Sequence, residues 1–172
     1  MSSINQYFFQ FLNNLAGRSG IFDAIVAFLG SWFSWLVIAA AVVLIVTSRE
    51  SKKIRTIFFV FAGPVLGEFV AFLTRSFYNR PRPFETLSLL HQLIPHEGGG
   101  SFPSSHATFF FALAMGIYLW HKRWGAAFFV AAFLIAISRV VSGIHWPLDI
   151  VAGAILGVFS SMLVHRLQRR VQ

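Results

Sequence analysis

Residues 125–164 read GAAFFVAAFLIAISRVVSGIHWPLDIVAGAILGVFSSMLV, and this stretch decides the fold. Two uninterrupted apolar blocks, 125–141 and 148–164, flank a short turn. Each approaches the ~20 residues that a bilayer's hydrocarbon core requires of a helix. Similar blocks lie upstream at 107–120, at 57–73, and from 21 or 31 to 46. The expected fold is therefore all-α, a polytopic membrane helix bundle of about five spans. Composition agrees: the 172 residues are 56% hydrophobic and 12% charged, against roughly 25% charged in ordinary soluble domains. A water-soluble globule is excluded. The chain reads as a single domain, 1–172, in which residues 1–20 form an interfacial helix. In that segment Ile4, Tyr7, Phe8, Phe11, Leu12 and Leu15 recur at helical spacing, opposite Asn5, Gln6, Gln10, Asn13 and Asn14. The break at Gly17-Arg18-Ser19-Gly20 ends it.

The formal net charge of +8 does not mark a nucleic-acid binder, because the basic residues sit at the ends of apolar blocks and not along one stripe. They instead set orientation. The linker 49–55, the turn 121–123 and the tail residues Arg166, Arg169 and Arg170 fall on one side when five spans are threaded. Positive residues favour the cytoplasm. The loop 76–103 and the turn 142–146 then face outward, so an active site there would lie on the external, periplasmic side of the cytoplasmic (inner) membrane. Cysteine is absent, which removes disulfides, thiol nucleophiles and cysteine-based metal sites.

Three polar segments gather at that outer face. Residues 75–84 read RSFYNRPRPF, residues 102–107 read FPSSHA, and Ser138-Arg139 is followed after five residues by His145 and after three more by Asp149. Charged groups beside apolar spans are costly and usually functional. A phosphoryl group in transit carries charge on its equatorial oxygens, and arginines meet that charge with permanent forked donors. Ser104 and Ser105, at a helix start, offer hydroxyls and free backbone N–H groups to an anion. His106 and His145 supply a nucleophile and a proton donor. Asp149 could orient one histidine ring. Plainer readings exist for each: snorkelling arginines, a serine N-cap, an aspartate favoured by the helix dipole.

Together the segments resemble the three signature motifs of the type 2 phosphatidic acid phosphatase superfamily. Its pattern is Lys, six residues, Arg-Pro; then Pro-Ser-Gly-His; then Ser-Arg, five residues, His, three residues, Asp. The third motif matches fully. Ser105 replaces the glycine of the second and Arg75 the lysine of the first. The resemblance implies a membrane lipid phosphatase whose catalytic core spans 56–168. It makes His145 the nucleophile that becomes a phosphohistidine, Asp149 its orienting partner and His106 the acid for the leaving group. Arg75, Arg82, Ser104, Ser105 and Arg139 would hold the phosphate, with no cofactor and no metal. The stretches 67–84, 93–96 and 101–103 look, within the superfamily, like bacterial undecaprenyl-diphosphate phosphatases. That likeness implies hydrolysis of undecaprenyl diphosphate to the monophosphate during cell-envelope synthesis. Phosphatidylglycerophosphate, phosphatidate or a lipid A phosphate are alternative substrates. A lipid phosphotransferase or a non-catalytic lipid-binding or transport protein are alternatives of another kind. Oligomeric state is not legible.

Glu68 lies seven residues before Arg75, about 10 Å along a helix axis on nearly the same face; it is a candidate to position an outer arginine or help handle the second phosphate, or else a carboxylate protonated or paired at a helix contact. His91 and His96 show no metal-binding spacing with His106 and His145, and are expected to face solvent. Gly98-Gly99-Gly100 reads as a slack connector or a loop that bends over substrate. Gly153 and Gly157 suggest close helix packing, and Trp146 an interface anchor or a side chain lining the pocket.

Overall fold

The structure, a computed structural model, describes residues 3–49 and 53–170. Among them it has eight helices: α1 (Ser3–Asn13), α2 (Gly20–Gly30), α3 (Trp32–Thr47), α4 (Lys53–Phe77), α5 (Pro83–Thr86), α6 (Ser105–Trp120), α7 (Lys122–Val141) and α8 (Pro147–Arg170). Residues 50–52 of the basic linker lie outside the described residues. Helices α4, α7 and α8 are each long and apolar enough to cross a membrane. Helices α2 and α3 qualify together as a pair bent by 45°. The chain is thus a multi-pass helical membrane protein with three such helices, or four spans if the bent pair is one. The block expected as a further span at 107–120 is α6, whose 16 residues make a rod of about 24 Å, short of the ~30 Å hydrocarbon core.

Helix α6 is the hub, packed against α8, α7 and α4. Lipid tails are as apolar as leucine side chains, so membrane helices associate through close van der Waals packing and interhelical hydrogen bonds. The seam here is built for that. A Cβ on Gly157 would lie 2.2 Å from the Thr108 carbonyl oxygen, and one on Gly153 would lie 2.7 Å from that of Ser104. Across the seam the Ser161 hydroxyl donates to Ala112 O at 2.7 Å. On the other flank of α6, Leu113, Ile117, Ile135, Ala132 and Val37 join a buried apolar cluster linking α6, α7 and α3.

The faces of α1 are reversed from what amphipathicity in water would suggest. Asn5 and Asn13 are buried, while Ile4, Tyr7, Phe8 and Phe11 are exposed. Asn13 donates to His91 O (2.7 Å) and Val141 O (2.9 Å) and accepts from His91 N (3.0 Å). Asn5 accepts from Leu148 N at 3.0 Å. These asparagines satisfy backbone groups left open where α7 ends and α8 begins. Of the expected apolar face, Ile4, Tyr7, Phe8 and Phe11 point away from the protein, while Leu12 packs against buried Phe9, Val140 and Val141.

Candidate active site

The site begins with a tight reversal. After α7, Ser142 N bonds to Ser138 O, and Gly143 takes a left-handed conformation at φ 79°. A side chain there would also meet His91 O, since its Cβ would lie 2.6 Å away. The turn returns the N–H groups of Ile144 and His145 to Arg139 O, at 3.2 and 3.3 Å. Pro147 then opens α8 with its preset φ. Asp149, in the first turn, accepts Trp146 N at 2.9 Å through Oδ2. His145 Nδ1 stands 3.5 Å from the same oxygen, a contact without a formed hydrogen bond. Catalytic hydrogen bonds are often long before substrate arrives.

The other end of the ring meets Arg82. Its Nη1 is 3.2 Å from His145 Nε2 and donates to Ile144 O at 3.0 Å. Arg82 is itself buried and wrapped by the glycine loop: Nε donates to Gly99 O (3.1 Å) and Nη2 to Gly100 O (3.4 Å). Glu85 ties loop and arginine together, accepting Arg82 N at 2.6 Å and Gly99 N at 3.2 Å. The loop that sequence left open as a slack connector is thus folded onto an arginine. Burial, reinforced by Arg82 and Arg139, holds the His145 imidazole well below its ordinary value, so the ring is uncharged at neutral pH. A neutral ring facing Asp149 with Nδ1 and a guanidinium with Nε2 carries its proton on Nδ1 and its lone pair on Nε2.

Helix α6 brings the second segment to this point, where Ser104 N bonds to Asp149 O at 3.1 Å. Ser104 is fully buried and its Oγ caps α6, accepting Ala107 N at 3.5 Å. The plain N-cap reading is therefore present, though a capping hydroxyl keeps its own proton for an anion. His106 follows in the first turn, within electrostatic reach of Arg139, His145 and Arg82. Arg75, in the last turn of α4, donates to Pro103 O at 3.1 Å and pairs with Glu68 at 2.6 Å. Arg139 sends Nη1 to Gly30 O at 2.7 Å, meeting a carbonyl that the α2–α3 break leaves free. Beside His106 a groove of about 260 Å³ runs between α3, α4 and α6, lined by Trp35, Ile38, Phe109 and Phe110 with Ser34, Glu68 and Ser105.

Sequence reasoning placed Arg80 among the outer arginines but gave it no role; its Nη1 donates to Asp149 Oδ1 at 2.8 Å. It also placed Trp146 at the membrane interface, whereas the side chain is wholly buried, 5.0 Å from the Phe9 ring, with Nε1 bonded to Pro81 O. His96 was expected in solvent and is half-buried beside the Phe84 ring; His91 is exposed as expected. Among the described residues, no three His, Cys, Asp or Glu side chains form a group that could hold a metal ion.

The site thus sets an uncharged imidazole between a carboxylate and a guanidinium group, at one end of a helical membrane bundle. The chain belongs to the PAP2 superfamily, whose family model matches residues 55–172. It is 36% identical to a Bacillus licheniformis protein named bacitracin transport permease protein BcrC, over 95% of this chain and 80% of that one. It is 30% identical to an undecaprenyl-diphosphatase of Sulfolobus acidocaldarius, over 88% of this chain and 71% of the relative. A 44% identical match to a lipid A 4'-phosphatase of Bacteroides thetaiotaomicron covers 44% of this chain and 36% of that protein.

Proposed function

We propose that this protein hydrolyses undecaprenyl diphosphate to undecaprenyl phosphate without a metal, through a phosphohistidine on His145. The observation that carries this reading is the imidazole geometry: Nδ1 toward Asp149 and Nε2 toward Arg82, in an uncharged, buried ring. The Nε2 lone pair forms a bond to the terminal phosphorus as the bridging P–O bond breaks. His106 gives its proton to the leaving oxygen, then takes one from the water that cleaves the N–P bond, releasing phosphate. Arg75, Arg82 and Arg139, with the Ser104 and Ser105 hydroxyls and the first N–H groups of α6, hold the equatorial oxygens. Glu68 positions Arg75. The apolar groove beside His106 lies where a lipid leaving group must go, which favours a lipid substrate over a soluble phosphate ester.

In this reading the catalytic core is 56–168, α6 crosses as a short inner span to complete five, α1 lies in the interface, and the site faces the periplasm of the cytoplasmic membrane. The relative named for lipid A supplies the second reading, a lipid A phosphatase. Phosphate release from purified protein in detergent, with chelator present, over undecaprenyl diphosphate, phosphatidylglycerophosphate, phosphatidate and a lipid A phosphate separates them. Turnover of the prenyl diphosphate is expected to lead, and cleavage of the other lipids alone would overturn the assignment. Acid-quench labelling should trap phosphate on the wild-type chain and none on His145→Ala. Loss of turnover without loss of the label would move the nucleophile elsewhere.

A further inference from the structure

Four arginines stand at the outer end of the bundle, and one of them does something different. Arg75, Arg82 and Arg139 each donate to backbone carbonyls around the phosphate cradle, and Arg75 also meets Glu68. Arg80 directs its charge to Asp149. We propose that Arg80 is a positioning residue of the reaction: it keeps the Asp149 carboxylate ionised and turned toward His145 Nδ1, and does not itself touch phosphate. The inference rests on His145 being the nucleophile.

The two Asp149 oxygens have divided roles. Oδ1 takes the Arg80 guanidinium at 2.8 Å, while Oδ2 accepts Trp146 N and faces the His145 ring. Asp149 is fully buried, where a carboxylate without a counter-ion gives up its charge. The charged or titratable groups facing it are Arg80, Arg82 and His145. Arg82 sits at the far nitrogen of the ring, so Arg80 is the cation in direct contact. Its own place is fixed: the guanidinium lies over the Trp146 ring at 5.7 Å, and Arg80 O accepts Ser101 N at 2.8 Å. When Nε2 bonds to phosphorus, the ring becomes a cation with its proton on Nδ1. The carboxylate that Arg80 holds is then the group that stabilises that cation.

The test is kcat, KM and the pH–rate profile on undecaprenyl diphosphate for wild type, R80Q, R80K, D149N and R80Q/D149N, each checked for a monodisperse, folded protein. R80Q is expected to lower kcat ~10–100-fold, on the scale that removing the hydrogen-bond partner of a metal-ligating side chain costs at other sites. KM should change little, and the acid limb of kcat should move to higher pH as the carboxylate takes up a proton more readily. R80K restores charge but not the planar fork, so it should keep the limb in place with a few-fold loss of kcat. The double variant should be no slower than D149N. A raised KM with kcat preserved, or losses that multiply in the double variant, would make Arg80 a phosphate ligand and overturn the proposal. If R80Q does not fold, R80K decides: kcat reduced or kept at constant KM with the acid limb in place supports the role, and a raised KM with kcat preserved removes it. Full activity in D149N would remove Asp149 as the orienting group and this proposal with it, while phosphate trapped on His145 would leave the nucleophile assignment standing; a slow D149N beside an unaffected R80Q would refute Arg80 alone.

Discussion

His145 is a base made available by its surroundings. Desolvation disfavours the imidazolium, and Arg82 and Arg139 add repulsion, so all three effects lower the proton affinity of the ring. In an unfolded chain the same ring titrates near 6.5. As pH falls through that value the unfolded chain takes up a proton that the folded site refuses, so His145 lowers stability on the acid side and leaves it unaffected above. For the proposed attack on phosphorus the direction is favourable, since Nε2 stays unprotonated through the neutral range. Spectra of protein labelled with 15N-histidine, with the His145 signals identified through H145Q, should show a neutral ring at pH 6.5 and below. A midpoint at or above 6.5 would contradict the buried, cation-flanked environment. The resemblance to the family's motifs singled out His145, His106, Arg82 and Asp149 as candidates, because motif chemistry is local in sequence. It could not identify Arg80, which has the same residue type as its neighbours and differs only in what it faces across the fold, 69 positions away.

Helices in this protein are positioned by small residues and by buried polar groups at their ends, which follows from having lipid as the solvent on their flanks. Gly157 shows the tightness required: the group that a new Cβ would strike is the backbone carbonyl of Thr108, which cannot rotate aside. G157A must therefore push α8 from α6, separating Asp149 from the Ser104 end of the site. A destabilisation of about 1–3 kcal/mol is expected for such overpacking, together with reduced turnover. G20A, where a Cβ meets nothing within 4 Å, is the control and should match wild type in melting temperature and rate. Equal behaviour of the two variants would mean that the seam is looser than its geometry. Element positions were largely readable, as the expected blocks 125–141 and 148–164 lie within α7 and α8. The faces of α1 were harder to read, because periodicity reveals that a helix has two faces and not which one meets protein. Asn5 and Asn13 turn inward since open backbone groups await them at the α7–α8 corner.

At the scale of the whole molecule, the two ends of the bundle differ in what they do with charge. One end holds Lys122, Arg123, Arg166, Arg169 and Arg170, mostly exposed; the other draws Arg75, Arg80, Arg82 and Arg139 inward onto carbonyls and carboxylates. Exposed basic residues near span ends follow the cytoplasmic side, whereas buried ones with partners report a site. The proposed orientation follows from that distinction and not from the total charge. The chain contains no cysteine, so single cysteines placed at exposed positions report topology without background. A membrane-impermeant maleimide added to intact spheroplasts should label a cysteine at Leu89 or Gln92, both exposed in the loop ahead of the site. Cysteines at Lys122 or Arg169 should react only after the membrane is permeabilised. The reverse pattern would place the phosphate cradle in the cytoplasm and require a substrate presented on the inner leaflet.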